Sequence, residues 1–162
     1  MNSKIGLVTG SFDPITVGHL DIIKRASEIF DRIIVVVAHN EEKTYMFSPK
    51  ERLSIVEAAI KDVENASAVL WDGYVADYAI KVCASAFVRG IRGDGDVAYE
   101  QNMADINYSK CGVDTVMLFA NPKYHSISST LVRNALKNGE SVDELVPENS
   151  VNLLFEYISK EQ

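Results

Sequence analysis

The sequence predicts an α/β protein: a doubly wound, Rossmann-like, five-stranded parallel sheet with helices on both faces. Two observations lead to this prediction. Five short apolar runs recur along the 162 residues, and stretches with helical periodicity separate them. Several of the runs are continuous rather than alternating, as a strand requires when helices cover both of its faces. We therefore expect the order β-α-β-α-β-α-β-α-β within one domain spanning residues 1–162.

Each strand is predicted from its own apolar run. In chain order, the runs lie at residues 5–8, 33–38, 68–71, 86–88 and 115–120. In doubly wound sheets, ligands bind beyond the carboxyl ends of the strands. Residues that follow each run are therefore the first candidates for a functional site.

Apolar periodicity and start signals predict the helices. A stripe of Leu20, Ile23, Ala26 and Phe30 marks the first helix. The start of the second is predicted from Ser48 as N-cap, Pro49 in the first helical position and Glu51 closing a capping box. Pro147 precedes a C-terminal helix expected at about 148–159. Its apolar stripe comprises Val151, Leu154, Phe155 and Ile158.

Charge and composition exclude several classes of protein. With 16 Lys and Arg against 23 Asp and Glu, the net charge is −7, which argues against binding nucleic acid or an anionic membrane. There is no apolar run of 18 residues and no signal-peptide pattern, so we expect a cytoplasmic location. Cys83 and Cys111 are isolated, which argues against a disulfide framework or a zinc site.

The segment after the first strand carries the strongest chemical signal. It reads TGSFDPITVGH over residues 9–19, and a helix is expected to begin near its end. Gly10 lets backbone approach a ligand closely, while Gly18 leaves space beside His19. A helix N-terminus here offers amide donors to an anion. The segment matches neither the dinucleotide fingerprint nor the P-loop. A plain turn with a surface histidine is the alternative.

G-x-F-D-P followed by T-x-G-H resembles the ATP-binding loop of the nucleotidyltransferase superfamily, whose shared motif is [HT]-x-G-H. With Thr16 in the first position and this chain length, the sequence resembles the bacterial phosphopantetheine adenylyltransferase family. The resemblance implies that Ser11, Phe12 and His19 contact ATP, and that Ser11 also contacts the acceptor substrate.

Two basic segments extend the resemblance. Lys43, three residues before Met46, holds the spacing of the family lysine that reaches the reacting phosphate; a solvated loop charge is the alternative. R-G-I-R at residues 89–92 resembles the family motif in which the first Arg contacts the acceptor phosphate. The resemblance thus assigns Arg89 to the acceptor, and Gly90, Ile91 and Arg92 to ATP. Ion pairs with Asp94 or Asp96 are the alternative for the arginines.

Further matches follow the fourth and fifth strands. Glu100 stands where the family places a Glu near ATP, although Val97 and Ala98 depart from the usual pattern. I-S-S-T at residues 127–130 matches the family motif in which a helix N-terminus holds ATP phosphates. Ordinary N-capping is the alternative for these hydroxyls. Val75 is assigned to the pantetheine channel. The ATP contacts implied for this last segment are Tyr124, His125, Ser126, Ile127, Ser128, Ser129 and Thr130.

The resemblance covers essentially the whole chain and implies transfer of the adenylyl group of ATP to 4′-phosphopantetheine. His19, Lys43 and Arg92 are then the expected catalytic residues, and Mg²⁺ is expected to accompany ATP rather than occupy a site made by the protein alone. A homohexamer and feedback by coenzyme A are also implied. The alternatives are a nucleotidyltransferase acting on nicotinate mononucleotide or on glycerol phosphate with CTP, and an ATP-binding module without catalysis.

Overall fold

A computed structural model describes residues 3–160; residues 1–2 and 161–162, the ends of the predicted domain, lie outside the described part. The strands are β1 (Ile5–Gly10), β2 (Arg32–His39), β3 (Ala66–Asp72), β4 (Ala86–Ile91) and β5 (Thr115–Phe119). The helices are α1 (Val17–Ser27), α2 (Pro49–Ile60), α3 (Val75–Lys81), α4 (Asp94–Cys111), α5 (Ser129–Lys137) and α6 (Glu148–Lys160), with a 3₁₀ turn at Pro122–Tyr124. All five predicted strands are present, and most extend one to three residues beyond the apolar runs.

The strands form one parallel sheet in the order β3-β2-β1-β4-β5. The chain first winds outward from β1 to β3 and then returns to the other side of β1 with β4. The order therefore reverses between β1 and β4, which lie side by side. At such a switch point the loops after the two strands diverge and leave a crevice.

Helices cover both faces of this sheet, which confirms the predicted fold class. Successive residues of β1 and β2 face opposite layers. Val8 and Val35 pack in the larger core, to which α1, α2, α5 and α6 contribute. Leu7 and Ile34 pack in the smaller core with residues of α3. The continuous apolar runs follow from this burial on both sides.

The helix starts agree with the sequence signals. Ser48 accepts a hydrogen bond from the Glu51 amide, and the Glu51 carboxylate accepts one from the Ser48 amide, so the predicted capping box is present. Two details of the predicted stripes differ. Phe30 is buried but lies beyond the end of α1, and Phe155 of α6 is 45% exposed while the adjacent Leu154 is fully buried.

Within residues 3–160, none of the helices is both long and apolar enough to span a bilayer.

Candidate active site

A cavity of about 380 Å³ opens at the carboxyl ends of β1 and β4, where the strand order reverses. The loop after β1, the start of α1, the loop after β4 and the start of α5 surround it. Of the residues predicted for the site, those that line the cavity are Ser11, Phe12, His19, Arg89, Gly90, Arg92, Glu100, Tyr124, Ile127, Ser128 and Ser129. Segments far apart in sequence thus meet around one crevice.

His19 is held by the start of α1. Thr16 is the N-cap, its hydroxyl accepts from the His19 amide, and the Thr16 amide donates to His19 Nδ1 at 3.0 Å. Because Nδ1 accepts this bond, the neutral ring carries its proton on Nε2. Burial, followed by the charges of Arg89 and Arg92, lowers the pKa of His19 to about 4. At neutral pH, His19 is therefore an uncharged hydrogen-bond donor in the wall of the cavity.

The loop after β1 owes its shape to close packing of its own residues. Phe12 is buried with a positive φ of 50°, which a non-glycine residue adopts only when its surroundings stabilise it. Its ring meets the His19 ring edge-on, with centroids 5.2 Å apart. A Cβ at Gly10 would lie 3.2 Å from the same ring. Gly10 therefore gives room to Phe12 as well as lining the cavity.

Arg89 is fixed in the wall of the cavity by a buried carboxylate. Its Nε and Nη2 donate to the two oxygens of Glu100, each at 2.8 Å, and Nη1 donates to the Thr9 carbonyl. Burial by itself would lower the pKa of Arg89, but the bonds to Glu100 outweigh it and the pKa is raised. Glu100, rather than the Asp94 or Asp96 of the alternative reading, is therefore the carboxylate that holds Arg89.

Arg92 has a weaker and more exposed partner. Its amide and Nε donate to Asp96 Oδ2 at 3.0 and 3.1 Å, and Nη2 donates to Oδ1 at 3.3 Å. The hydrogen bonds from Arg92 lower the pKa of Asp96. The Arg92 side chain is 47% exposed, so solvent screens this pair. The ion pair considered in the sequence analysis is therefore present for Arg92.

The α5 start combines capping with a basic residue that the sequence analysis did not assign. Ser128 is the N-cap and accepts from the Leu131 amide, while the Ser129 hydroxyl donates to the Pro14 carbonyl. Arg133, one turn further on, lines the cavity and donates to the Asp13 carbonyl at 2.7 Å. The sequence signal that could have identified Arg133 is its position one helical turn after the hydroxyl residues Ser128, Ser129 and Thr130.

Asp13 is a second residue that the sequence analysis left without a role. Its carboxylate is buried and accepts from the amides of Met46 and Phe47, both at 2.9 Å. The loop after β1 is thereby joined to the segment leading into α2. A buried carboxylate needs such partners, and the FDP sequence gave no sign of which amides they would be.

Six predicted site residues do not line the cavity: Lys43, Val75, Ile91, His125, Ser126 and Thr130. Lys43 is exposed on the loop between β2 and α2, and Ile91 is buried in the sheet. Val75 packs in the smaller core. His125, Ser126 and Thr130 are exposed around the start of α5. Their predicted contacts with ATP or the acceptor stay predictions.

The charges in the cavity wall balance. Three arginines line it, Arg89, Arg92 and Arg133, together with three carboxylates, Asp13, Asp96 and Glu100. From the sequence, Lys43, Arg89, Arg92 and Glu100 were expected in the site, Asp96 was only an alternative partner for the arginines, and Asp13 had no role. The wall is therefore not a cationic patch. It offers to phosphate the helix N-termini, the His19 Nε2–H donor and guanidinium groups that already have carboxylate partners.

Comparisons with known proteins agree with the fold and with the sequence resemblance. Residues 7–135 match the cytidylyltransferase-like family model. The phosphopantetheine adenylyltransferase of Alkaliphilus metalliredigens is 44% identical over 146 residues, covering 90% of this chain and 93% of its own. That of Cutibacterium acnes is 42% identical over 86% of this chain and 88% of its own, and that of Caldanaerobacter subterraneus is 39% identical over 97% and 99%.

Solved structures support the fold alone, because their sequences are distant. A proposed nicotinate-nucleotide adenylyltransferase from Vibrio parahaemolyticus has a TM-score of 0.72 at 20% identity, covering 96% of this chain and 93% of its own. A bifunctional NMN adenylyltransferase/ADP ribose pyrophosphatase from Francisella tularensis has a TM-score of 0.71 at 16% identity, covering 98% of this chain and 50% of its own. With relatives 39 to 44% identical over most of its length, this chain belongs to the phosphopantetheine adenylyltransferase family.

Proposed function

We propose that this protein transfers the adenylyl group of ATP to 4′-phosphopantetheine, giving dephospho-coenzyme A and pyrophosphate. The observation that carries the proposal is the cavity between β1 and β4. It gathers His19, Arg92 and the start of α5 in a chain of this family. Family membership supports the reaction, and the cavity supports the residues that we assign to it.

The reaction exchanges one phosphorus–oxygen bond for another. An oxygen of the phosphopantetheine phosphate attacks the α-phosphorus of ATP, and the bond from that phosphorus to the bridging oxygen of the β-phosphate breaks. The electron pair of the broken bond leaves with pyrophosphate. The attacking phosphate is already anionic at neutral pH, so the step needs no general base. Catalysis then consists of positioning and stabilisation of negative charge.

His19 is our candidate for charge stabilisation at the α-phosphate. The bond from the Thr16 amide leaves Nε2–H as the only donor of the neutral ring. A donor held in place before the reaction gains strength when charge develops on the phosphate oxygen. We therefore expect His19→Ala to lower kcat more than it raises the KM for ATP.

The other assignments follow the geometry of the cavity. Arg92 and the first-turn amides of α5 are suited to the ATP phosphates, because an exposed guanidinium can exchange Asp96 for a phosphate. Arg89, fixed by Glu100, is suited to the acceptor phosphate. Lys43 lies outside the cavity on the exposed loop between β2 and α2, so its predicted contact depends on its long, flexible side chain reaching towards the bound substrates.

We propose that Mg²⁺ enters as Mg-ATP. The three carboxylates that line the cavity are each engaged: Asp13 by two amides, Asp96 by Arg92 and Glu100 by Arg89. Within residues 3–160, no cluster of three or more His, Cys, Asp or Glu could hold a metal. Phosphate oxygens and water are therefore the expected ligands. Excess EDTA should abolish turnover, and added Mg²⁺ should restore it.

We also propose that residues 1–162 form a single nucleotidyltransferase domain. The match to the Caldanaerobacter relative supports this, because it covers 97% of this chain and 99% of the relative. The resemblance further implies a homohexamer and inhibition by coenzyme A. We also propose a cytoplasmic location, which suits a biosynthetic step that consumes ATP. Addition of coenzyme A to the turnover assay tests the inhibition directly.

The test of the function is a substrate panel. Purified protein with Mg-ATP and 4′-phosphopantetheine should release pyrophosphate well above the level of His19→Ala. Nicotinate mononucleotide with ATP, and glycerol phosphate with CTP, should give no release above that level. Turnover only with one of these acceptors would reassign the substrate, and ATP binding without any turnover would favour a module without catalysis.

A further inference from the structure

Arg52 of α2 is the largest fully buried side chain within residues 3–160, with no exposed surface. It does not line the cavity, and the reaction proposed above does not use it. Arginine is almost never fully buried without a partner, because removing its charge from water costs several kcal/mol. Its position therefore needs an explanation.

No carboxylate partners Arg52 in an ion pair within the described chain. Its Nη1 donates instead to the carbonyls of Ser11 at 2.6 Å and Ala38 at 3.0 Å. Its Nη2 lies 3.0 Å from His39 Nδ1. Since guanidinium only donates, Nδ1 accepts and the His39 proton lies on Nε2. One planar group thus holds the ends of two neighbouring strands.

Those two strand ends lead into the segments that carry predicted substrate contacts. Ser11 follows β1 directly, and Ala38 and His39 end β2, just before the loop that carries Lys43. The Tyr45 ring, on the far side of that loop, lies 4.1 Å from the centre of the guanidinium group. Residues 40–48, between β2 and α2, are called the Lys43 loop below. Arg52 therefore contacts both ends of the Lys43 loop and the Ser11 peptide simultaneously.

The chemistry of these contacts favours arginine over other residues. Two carbonyls and an imidazole nitrogen need several donors in fixed directions, which guanidinium supplies and ammonium does not. A methionine of similar length would fill the space without burying a charge, and such exchanges are often neutral or stabilising. Filling the core therefore does not by itself account for arginine at this position.

We propose that Arg52 is a positioning residue, which sets the Lys43 loop and the Ser11 peptide in the relative placement that the acceptor substrate needs. The inference rests on the proposed function. Arg52 acts through these segments and touches no substrate itself.

The first test is a steady-state comparison of Arg52→Lys with the wild type. Lysine keeps the charge but cannot make the three contacts together. We expect kcat/KM for phosphopantetheine to fall about 10- to 100-fold, because small misplacements of reacting groups have effects of this size. The KM for ATP should change by less, since Ser11 is only one of the many predicted ATP contacts. Lys50→Met, exposed on the same helix, is the matched control and should behave as wild type. An unchanged kcat/KM in Arg52→Lys would overturn the proposal.

The second test asks whether Arg52 acts through Lys43. In a Lys43→Ala background, Arg52→Lys should cost clearly less kcat/KM than in the wild-type background, since one of the two segments that Arg52 positions no longer carries its functional group. A purely structural role would give the same fold-loss in both backgrounds, which would contradict the proposal.

Hydrogen exchange distinguishes this inference from the proposed function. In Arg52→Lys, amides of residues 38–47 should exchange at least about tenfold faster, while those of β1 and β4 stay protected. If the wild type turns over no acceptor, the proposed function fails and the placement of the loop is judged on exchange alone. An unchanged exchange rate of the amides of residues 38–47 would then overturn the positioning role. If Arg52→Lys does not fold, the same measurement is made on Arg52→Met.

Discussion

At the scale of single residues, the T-x-G-H segment combines a folding signal with a chemical one. Thr16 and His19 form the reciprocal bonds of a capping box, with imidazole in the place usually taken by Glu or Gln. The same bond that satisfies the helix start fixes the tautomer of His19. One interaction thus starts α1 and presents a donor to the cavity.

This arrangement makes stability depend on pH. His19 has a pKa of about 4 in the folded protein against 6.5 ordinarily. As the pH falls below 6.5, the unfolded chain binds a proton that the folded chain does not, so stability falls until about pH 4. Between pH 7 and 4.5, the wild type should lose about 2 to 3 kcal/mol more than His19→Gln, which keeps a capping acceptor but does not titrate. Urea unfolding at both pH values measures this, and equal losses would contradict it.

The pairing of Arg92 with Asp96 gives a second prediction. Asp96→Asn removes the charge that competes with phosphate for Arg92. Because exposed ion pairs contribute up to about 1 kcal/mol, the KM for ATP should fall about two- to fivefold. Asp94→Asn, exposed in the same first turn of α4, is the control and should leave the KM unchanged. A rise in the KM for Asp96→Asn would mean that Asp96 itself contacts Mg-ATP.

At the scale of elements, local signals at helix starts were reliable because the bonds they describe are local. Ser48 and Glu51 satisfy each other's amides within one turn of α2. Longer-range ties were not predictable in this way. Asp13 accepts bonds from Met46 and Phe47, more than 30 residues away, and Arg52 reaches Ser11 from 41 residues away.

Ser48→Ala should lower the free energy of unfolding by about 1 kcal/mol, the usual cost of losing an N-cap acceptor. Turnover should not change, because Ser48 is exposed and does not line the cavity. Chemical denaturation and the pyrophosphate assay measure the two effects. Ser109→Ala, exposed near the end of α4, should change stability by less than about 0.5 kcal/mol. An equal loss for both serines would contradict the capping role.

At the scale of the whole molecule, the excess of negative charge and the phosphate site are compatible. The net charge is −7, yet the cavity wall carries three arginines and three carboxylates. We therefore expect phosphate recognition to be local, through helix N-termini and ion pairs that a phosphate can replace, while the excess of acidic residues lies elsewhere on the chain.

Large apolar side chains on the surface are consistent with the proposed assembly. Phe119 is 77% exposed and Ile80 is 55% exposed, and an assembly that covered such side chains would bury apolar surface. A hexamer would have a mass of about 107 kDa, six times the 17.9 kDa of one chain. Light scattering coupled to size exclusion should give that mass, and a mass near 18 kDa would contradict the hexamer.

The fold and about two thirds of the candidate site could be predicted from the sequence. Continuous apolar runs indicated a sheet covered on both faces, and the carboxyl-end rule located the loops that carry Ser11, His19, Arg89 and Ser128. Lys43 and Val75 were assigned by the resemblance, and the structure leaves them outside the cavity. Arg133, Asp13 and Arg52 were missed because their partners are distant in sequence.

By itself, the sequence determined the order of elements, the starts of the helices that carry capping signals, and the segments that bear chemistry, since periodicity and capping act over a few residues. Tertiary structure alone decided which charges meet. It placed Glu100 on Arg89, Asp96 on Arg92 and the Arg52 guanidinium between two strand ends. Apart from the local Arg92–Asp96 pair, which spans four residues, these contacts depend on the three-dimensional approach of distant segments. Together they turn an apparently cationic set of residues into a balanced, preorganised cavity.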